Sequence, residues 1–205
     1  MSEAKKTVRS RRVSFRDVYC ALVTKNDVTG YETDTPIKLA RAISGKVSDK
    51  FSLEKIYSDD GVEDTVETYE GTDVELEVNA LAPSDKQMLF GHLYKDGFLV
   101  KNKDDKAPLV AVGYRSKKLD GTYEFTWLYA GRFGQGFDDN YQTQEDKITT
   151  QTATIKGSFH ERACDGKIAT QVDEDNIVAE NTEAAEAIKN WFGKVQEPTE
   201  TNNKE

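Results

Sequence analysis

The sequence predicts a mainly β (α+β) protein, an antiparallel β-sandwich or barrel with one internal and one C-terminal helix. Three observations carry that expectation. Asp73 to Ala80 alternates cleanly, Val74, Leu76 and Val78 against Asp73, Glu75 and Glu77, as a strand with one buried and one wet face does. Leu119-Asp120-Gly121 and Asp165-Gly166 are turn signals set between β-branched and aromatic segments. Strands of this kind follow one another at short intervals, the pattern of sandwiches and barrels, with neither an internal repeat nor heptads.

Taken in order, residues 1–12 read as a flexible basic arm, 13–178 as the β domain and 179–205 as a C-terminal helix with an acidic tail. In FRDVYCALVT, Val18, Cys20 and Leu22 share one face of a strand, and Lys25-Asn26-Asp27 with Gly30 ends it. Further strands are expected at about Pro36 to Arg41 and Gly45 to Phe51. Residues 53–72 hold much acid, two glycines and scattered apolar residues, and read as a long protruding loop or hairpin. Pro83-Ser84 opens a short helix with Met88, Leu89 and Leu93 at helical spacing and Gly91 weakening its middle.

Beyond Gly97 come FLV, the turn NKDDK and the strand APLVAVGYRSK, paired with TYEFTWLYAGRF, in which Tyr123, Phe125, Trp127 and Tyr129 share a face. A loop over Gly134 to Asp146 leads to the Thr-rich strand ITTQTATIKGSF, and a short strand lies near Lys167 to Val172. The last helix runs from about Glu183 to Phe192, with Asn181 or Thr182 as N-cap and Gly193 beyond its end. Glu183 and Glu186 suit the positive end of its dipole.

With 205 residues the chain has room for one domain with arms. Counting Gly and omitting Tyr, its apolar fraction is roughly 40%, below the ~45–50% of globular domains, which favours a protein completed by its neighbours. A net charge of −9 excludes a nucleic-acid clamp, which needs clustered Lys and Arg. The charge is polarised, since the N-terminus carries Lys5, Lys6, Arg9, Arg11, Arg12 and Arg16 while the C-terminus carries Asp173, Glu174, Asp175, Glu180, Glu183, Glu186, Glu197 and Glu200. Two such ends suit complementary surfaces, including those of identical subunits. Cys20 and Cys164 lack CxxC spacing, the charged N-terminus has no apolar signal-peptide core, and no run reaches the ~18–20 apolar residues of a membrane span. Reduced thiols in a protein made in the cytoplasm are expected.

Chemistry is sparse. His92 and His160 are the only histidines, and neither lies at zinc-ligand spacing from a cysteine. The pairs Asp59-Asp60, Asp104-Asp105 and Asp138-Asp139, and the run 173–175, lack a calcium-loop pattern and read as solvated loop charge. Gly131 to Gly136 is spaced GxxGxG and precedes an Asp-rich loop instead of a helix, so strand-end glycines fit better than a phosphate loop. The rings of YEFTWLYAGRF are more simply core than a nucleic-acid or sugar platform, because no basic cluster surrounds them. No catalytic, cofactor or metal residue is assigned, and no cofactor is expected.

FRDVYCALVTKND, YSDDG, PLVAVGYRSKKLDGTYEFTWLYAGRF, TQTATIKGSFHER and AIKNWFGKVQEP, in this order, resemble the major tail proteins of long-tailed phages, particularly those of Gram-positive hosts. The resemblance runs from about Phe15 to Pro198. It implies a tail-tube β-sandwich that joins edge to edge in rings, typically of six, which stack into a conduit for DNA. It also implies partners: other copies of itself, tape-measure, tail-terminator and distal tail or baseplate proteins, and genomic DNA passing without tight binding. No membrane partner is implied, and the setting is the virion tail, assembled in the host cytoplasm.

On this reading Asp73, Glu75 and Glu77 contribute to a DNA-repelling lumen wall, and Asp59, Asp60, Glu63, Asp64 and Glu67 belong to a loop reaching the next ring. The alternatives are the inner tube of a contractile tail, a tail-like bacteriocin or secretion tube, and, from another class, a monomeric carbohydrate-binding or adhesin module.

Overall fold

The computed structural model describes residues 10–59, 61–134, 137–139, 141, 143 and 151–199. The first strand, β1 (Arg12–Asp27), is followed by the short β2 (Gly30–Thr33) and β3 (Ile37–Lys38). Two long strands, β4 (Ala42–Ser58) and β5 (Gly61–Val78), then lead to helix α1 (Pro83–Phe90) and a small hairpin of β6 (Leu93–Lys95) and β7 (Phe98–Val100). The second half adds β8 (Val110–Lys118), β9 (Tyr123–Arg132), β10 (Phe137–Asp139), β11 (Ala153–His160), β12 (Ala169–Asp173) and α2 (Thr182–Ala187). All pairings are antiparallel, and the main sheet runs β2-β1-β8-β9-β11-β5-β4, with β3 on β1, β10 on β11 and β12 on β9. This is the mainly β architecture that the alternation and the turn signals predict.

Period-two patterning sorts the side chains to two sides of this sheet. On the inner side Val18 and Cys20 of β1, Val74, Leu76 and Val78 of β5, Val110 and Val112 of β8, Leu128 of β9, and Ile155 and Phe159 of β11 merge into one buried cluster. Helix α1 adds Leu89 and Phe90 to it. The sheet curls far enough for the Phe15 ring of β1 to lie against Gly45 of β4, where a Cβ would meet Phe15 Cζ at 2.6 Å. On the outer side Ala21, Ala111, Phe125, Trp127 and Tyr129 form a second cluster, covered by Trp191 and Val195 from beyond α2. The shared face expected of Tyr123, Phe125, Trp127 and Tyr129 is this one.

Several boundaries differ from the sequence reading. The segment 53–72 is not a loop: β4 and β5 stay paired from Ala42↔Val78 to Ser58↔Gly61, and the hairpin form of that expectation holds. Leu93 and His92 do not belong to the internal helix. Gly91, with φ of 74°, closes that helix, and its missing Cβ leaves room for the Lys106 carbonyl oxygen, which stands 2.2 Å from where the Cβ would be. The strand expected over 36–41 shrinks to Ile37–Lys38, and the closing helix is one short turn of α-helix followed by a 3₁₀ turn at Ile188–Asn190. Asn181 precedes that helix, but its side chain accepts from the Val178 N–H and caps nothing in the helix. Residues 1–9 of the N-terminal arm, Asp60, Gln135, Gly136, residues 148–150 and the tail from Glu200 lie outside the described residues.

Glycine and aromatic side chains are paired across the sheet. Gly131 faces Phe159 in register, and a Cβ on it would stand 2.2 Å from Phe159 Cγ; Gly113 likewise sits under the Trp127 ring. Gly131→Ala should therefore destabilise by about 1–3 kcal/mol through overpacking, read as a lower urea midpoint with an unchanged m-value. An unchanged midpoint would mean that the ring moves aside freely.

Candidate assembly interface

The most exposed element is the distal part of the β4–β5 hairpin, residues 51–70, here called the arm. Eight residues of β4 extend past the Lys50↔Gly71 pair, roughly 25 Å at strand rise. The sequence makes this a hairpin because Phe51, Ile56, Tyr57, Val62, Val66 and Tyr69 favour extended backbone. Its root is braced by hydrogen bonds, Tyr69 Oη to Thr72 Oγ1 at 2.7 Å and Thr72 Oγ1 to Asp49 Oδ1 at 2.5 Å.

The pairing Phe51↔Tyr69, Leu53↔Glu67, Tyr57↔Val62 prolongs the inner face of the sheet outward. That face has a core beneath it only as far as Thr72. Leu53 and Tyr57 are each 66% exposed, and Phe51 and Val62 each 53%. Burying such a side chain is worth about 1.5–3 kcal/mol, and a two-stranded ribbon alone is marginal in water. The arm is therefore an apolar surface that the described residues leave uncovered. Asp59, Glu63, Asp64 and Glu67 of the predicted inter-ring segment all lie on it and are exposed.

Asp73, Glu75 and Glu77 lie on the solvent side of β5, opposite Val74, Leu76 and Val78, as the alternation predicts. They are not a bare acidic stripe. Cross-strand neighbours include Lys46 opposite Glu75 on β4 and Lys156 opposite Glu75 on β11. Lys50 Nζ lies 2.6 Å from Asp73 and Lys156 Nζ 3.7 Å from Glu75, while Ser44 and Thr152 donate hydroxyls to Glu77. Three carboxylates thus alternate with three ammonium groups on one face, a feature that β5 read alone does not reveal. The free edge of β4 borders this face, since β4 pairs only with β5 among the described residues.

The C-terminal segment is fastened to the outer face by polar contacts that sequence reading missed. Trp127 Nε1 donates to the Trp191 carbonyl at 3.1 Å, and Tyr129 Oη to the Gln196 carbonyl at 2.9 Å. Arg162, 2% exposed, stacks over Tyr31 and Tyr129 and binds Asp165 and Glu197, the latter at 2.5 Å. The Arg162 guanidinium, through its hydrogen bonds, holds the Asp165 carboxyl well below the usual carboxylate range. Lys118 is similarly buried between Asp173 and Asp175.

The other candidates resolve into structure. His92 Nδ1 lies 2.7 Å from Asp105, which also accepts from the Asn102 N–H and side-chain amide; Asp139 holds Lys86. Burial pushes the Cys20 thiol far up, which makes it unreactive. Phe125, Trp127 and Tyr129 are buried and form no platform, and Gly131 is a paired strand residue, not part of a phosphate loop. Among the described residues no group of three or more His, Cys, Asp or Glu is placed to hold a metal, and no helix is long and apolar enough to cross a membrane.

No curated protein matches the chain. A family model described as phage tail tube protein matches residues 34–193, a span that includes the arm, the charge-alternating face and most of the C-terminal fastening.

Proposed function

The chain belongs to the phage tail tube protein family, structural proteins of the virion tail whose copies associate, and we propose that it is the major tube subunit of a long, non-contractile tail. In this reading copies close edge to edge into hexameric rings, and the rings stack into the conduit through which DNA is delivered. It has no enzymatic role. The observation that carries the reading is the arm: a hairpin whose apolar face continues the core face yet is left uncovered by the described residues. The open β4 edge, normally an aggregation hazard, offers unpaired backbone groups to a neighbour in the ring. The Asp59, Asp60, Glu63, Asp64 and Glu67 segment reaches the next ring. Tape-measure, terminator and distal tail proteins meet the ends of the tube, and assembly takes place in the host cytoplasm.

Asp73, Glu75 and Glu77 face the channel in this reading. Each lysine–phosphate contact strengthens the hold on DNA, so a conduit must keep its cations occupied. Lys50 and Lys156 are occupied by Asp73 and Glu75. The wall so formed is close to neutral: Lys50 and Lys156 are held by carboxylates and Lys46 stands opposite Glu75, so it slides by leaving phosphates few cations to grip, more than by repelling them.

Negative-stain microscopy of the purified chain should show rings or tubes with a central channel. Glu75→Cys in a Cys164→Ser background should react with a bulky maleimide as monomer and be protected in tubes. Rapid labelling in intact tubes would put this face on the outside, and a persistent monomer with glycan affinity would overturn the tube reading itself.

A further inference from the structure

We propose that the arm of one copy docks on the basic seam between β1 and the β3–β4 segment of another copy, an inference that rests on reading the arm as an assembly element. Glu54, Asp59, Glu63, Asp64, Glu67 and Glu70 stand on the arm against Lys55 alone. All six are exposed, and none has an ion-pair partner among the described residues. The arm thus presents two unmet demands together, an apolar stripe and a set of uncompensated carboxylates. A surface that satisfies it needs apolar floor and cationic rim in the same place.

The seam has both. β1 bulges between Arg16 and Tyr19, and Asp17 takes a left-handed φ of 54° there. Beside this bulge opens a cleft of about 480 Å³, floored by Phe15, Ala40 and Ala42 and rimmed by Arg16, Lys38 and Arg41. Asp17 is the one carboxylate lining it, and it is shared by Lys38 at 2.6 Å and Arg115 at 2.6 Å. Arg16 and Arg41 are exposed and have no carboxylate partner among the described residues. Ile37, next to Lys38, is 47% exposed and widens the apolar part.

The arm cannot satisfy this seam in its own chain. Ala42 and Ser58 are opposite ends of β4, roughly 50 Å apart at strand rise. The charges therefore form a dipole along the molecule, acidic tip at one end and basic seam at the other. Joined head to tail, such units make a heterologous contact that repeats without closing, the geometry of a linear stack. Charge of this kind chooses the partner and its register more than it adds affinity, and the apolar stripe supplies the latter.

The test uses the full chain with a photo-crosslinking phenylalanine analogue in place of Val62, irradiated at low salt and read by mass spectrometry. Crosslinks should fall on residues 14–17 and 37–42 of a second copy. Arg16→Glu with Arg41→Glu should lower their yield about tenfold, and Glu54→Lys, Glu63→Lys and Asp64→Lys on the arm should restore it. All five positions are exposed, and circular dichroism of each variant checks that the fold persists. Crosslinks to a different surface of the second copy would overturn the seam as receptor while leaving the arm an assembly element. Assembly that persists without the arm would overturn the underlying reading. Yield unmoved by charge reversal, together with loss of duplex DNA binding in the Arg variants, would assign the seam to nucleic acid and refute docking.

Discussion

Replacing residues 51–70 with an Asn-Gly turn should leave a folded body that no longer forms tubes. Lys50 and Gly71 face each other across the ladder, so a two-residue turn can join them without disturbing the register below. None of the removed residues belongs to the inner or outer buried cluster, and Thr72 keeps its bond to Asp49. The thermal midpoint should stay close to that of the intact chain. Assembly, by contrast, loses the apolar stripe of Phe51, Leu53, Tyr57 and Val62 at each contact, every side chain worth about 1.5–3 kcal/mol when buried. Lost translational and rotational freedom opposes association by an estimated 4–15 kcal/mol, so a loss of this size abolishes it at micromolar concentration. Sedimentation and negative stain provide the readout, and tubes of ordinary appearance from the arm-less chain would refute the arm's role.

Trp191→Ala should be among the most damaging single substitutions on the outer face, destabilising by about 3–5 kcal/mol. The side chain is 2% exposed and packs on Phe125, with ring centroids 5.5 Å apart. It is the peg by which residues 191–197 cover Trp127 and Tyr129. Its loss loosens the hydrogen bonds that those two rings make to the Trp191 and Gln196 carbonyls. At about 2–4 °C per kcal/mol for a chain of this size, the thermal midpoint should fall by roughly 10 °C. Trp191→Phe is the informative control. Trp191 Nε1 is buried with no hydrogen-bond partner among the described residues, so the ring, not the donor, is what stabilises, and phenylalanine should recover most of the loss. A Trp191→Ala midpoint within a degree of the parent would mean that the C-terminal segment merely rests on the sheet.

The parts of the fold readable in the sequence are those where one face is wet and the other dry. Val74, Leu76 and Val78 show it on β5, and Phe125, Trp127 and Tyr129 on β9, because each strand separates environments of different polarity. The arm defeats the same reading for a physical reason: both of its faces are exposed, so Phe51, Leu53 and Tyr57 alternate with nothing consistently polar, and the segment resembles a loop. Gly91 misleads in another way, since a glycine that ends a helix looks, in sequence, like one that weakens it. Leu93 then reads as continuing a periodicity that Gly91 has already broken.

Of the candidate interface, the carboxylates of β5 and of the 53–72 segment are visible as residues, but their surroundings are not. Lys46 and Lys156 come to Glu75 from strands about 30 residues before it and about 80 after it. Arg162 carries no local sign of being buried; it is buried because Tyr31, Tyr129 and Glu197 converge on it from distant segments. The seam depends on Asp17 leaving the ladder at a bulge, which no propensity marks.

The arm's ladder slips twice, between Lys50 and Phe51 and between Ile56 and Tyr57. Each slip adds right-handed coil to a ribbon already more twisted than a wide sheet. Laid along another body, a ribbon coiled in this way would favour one seating angle and so act as a torsional gauge. In a stack, the pitch of the helix would then be written into the two slips, and a tube bent by flow or by its host would store that bending as twist in the arms.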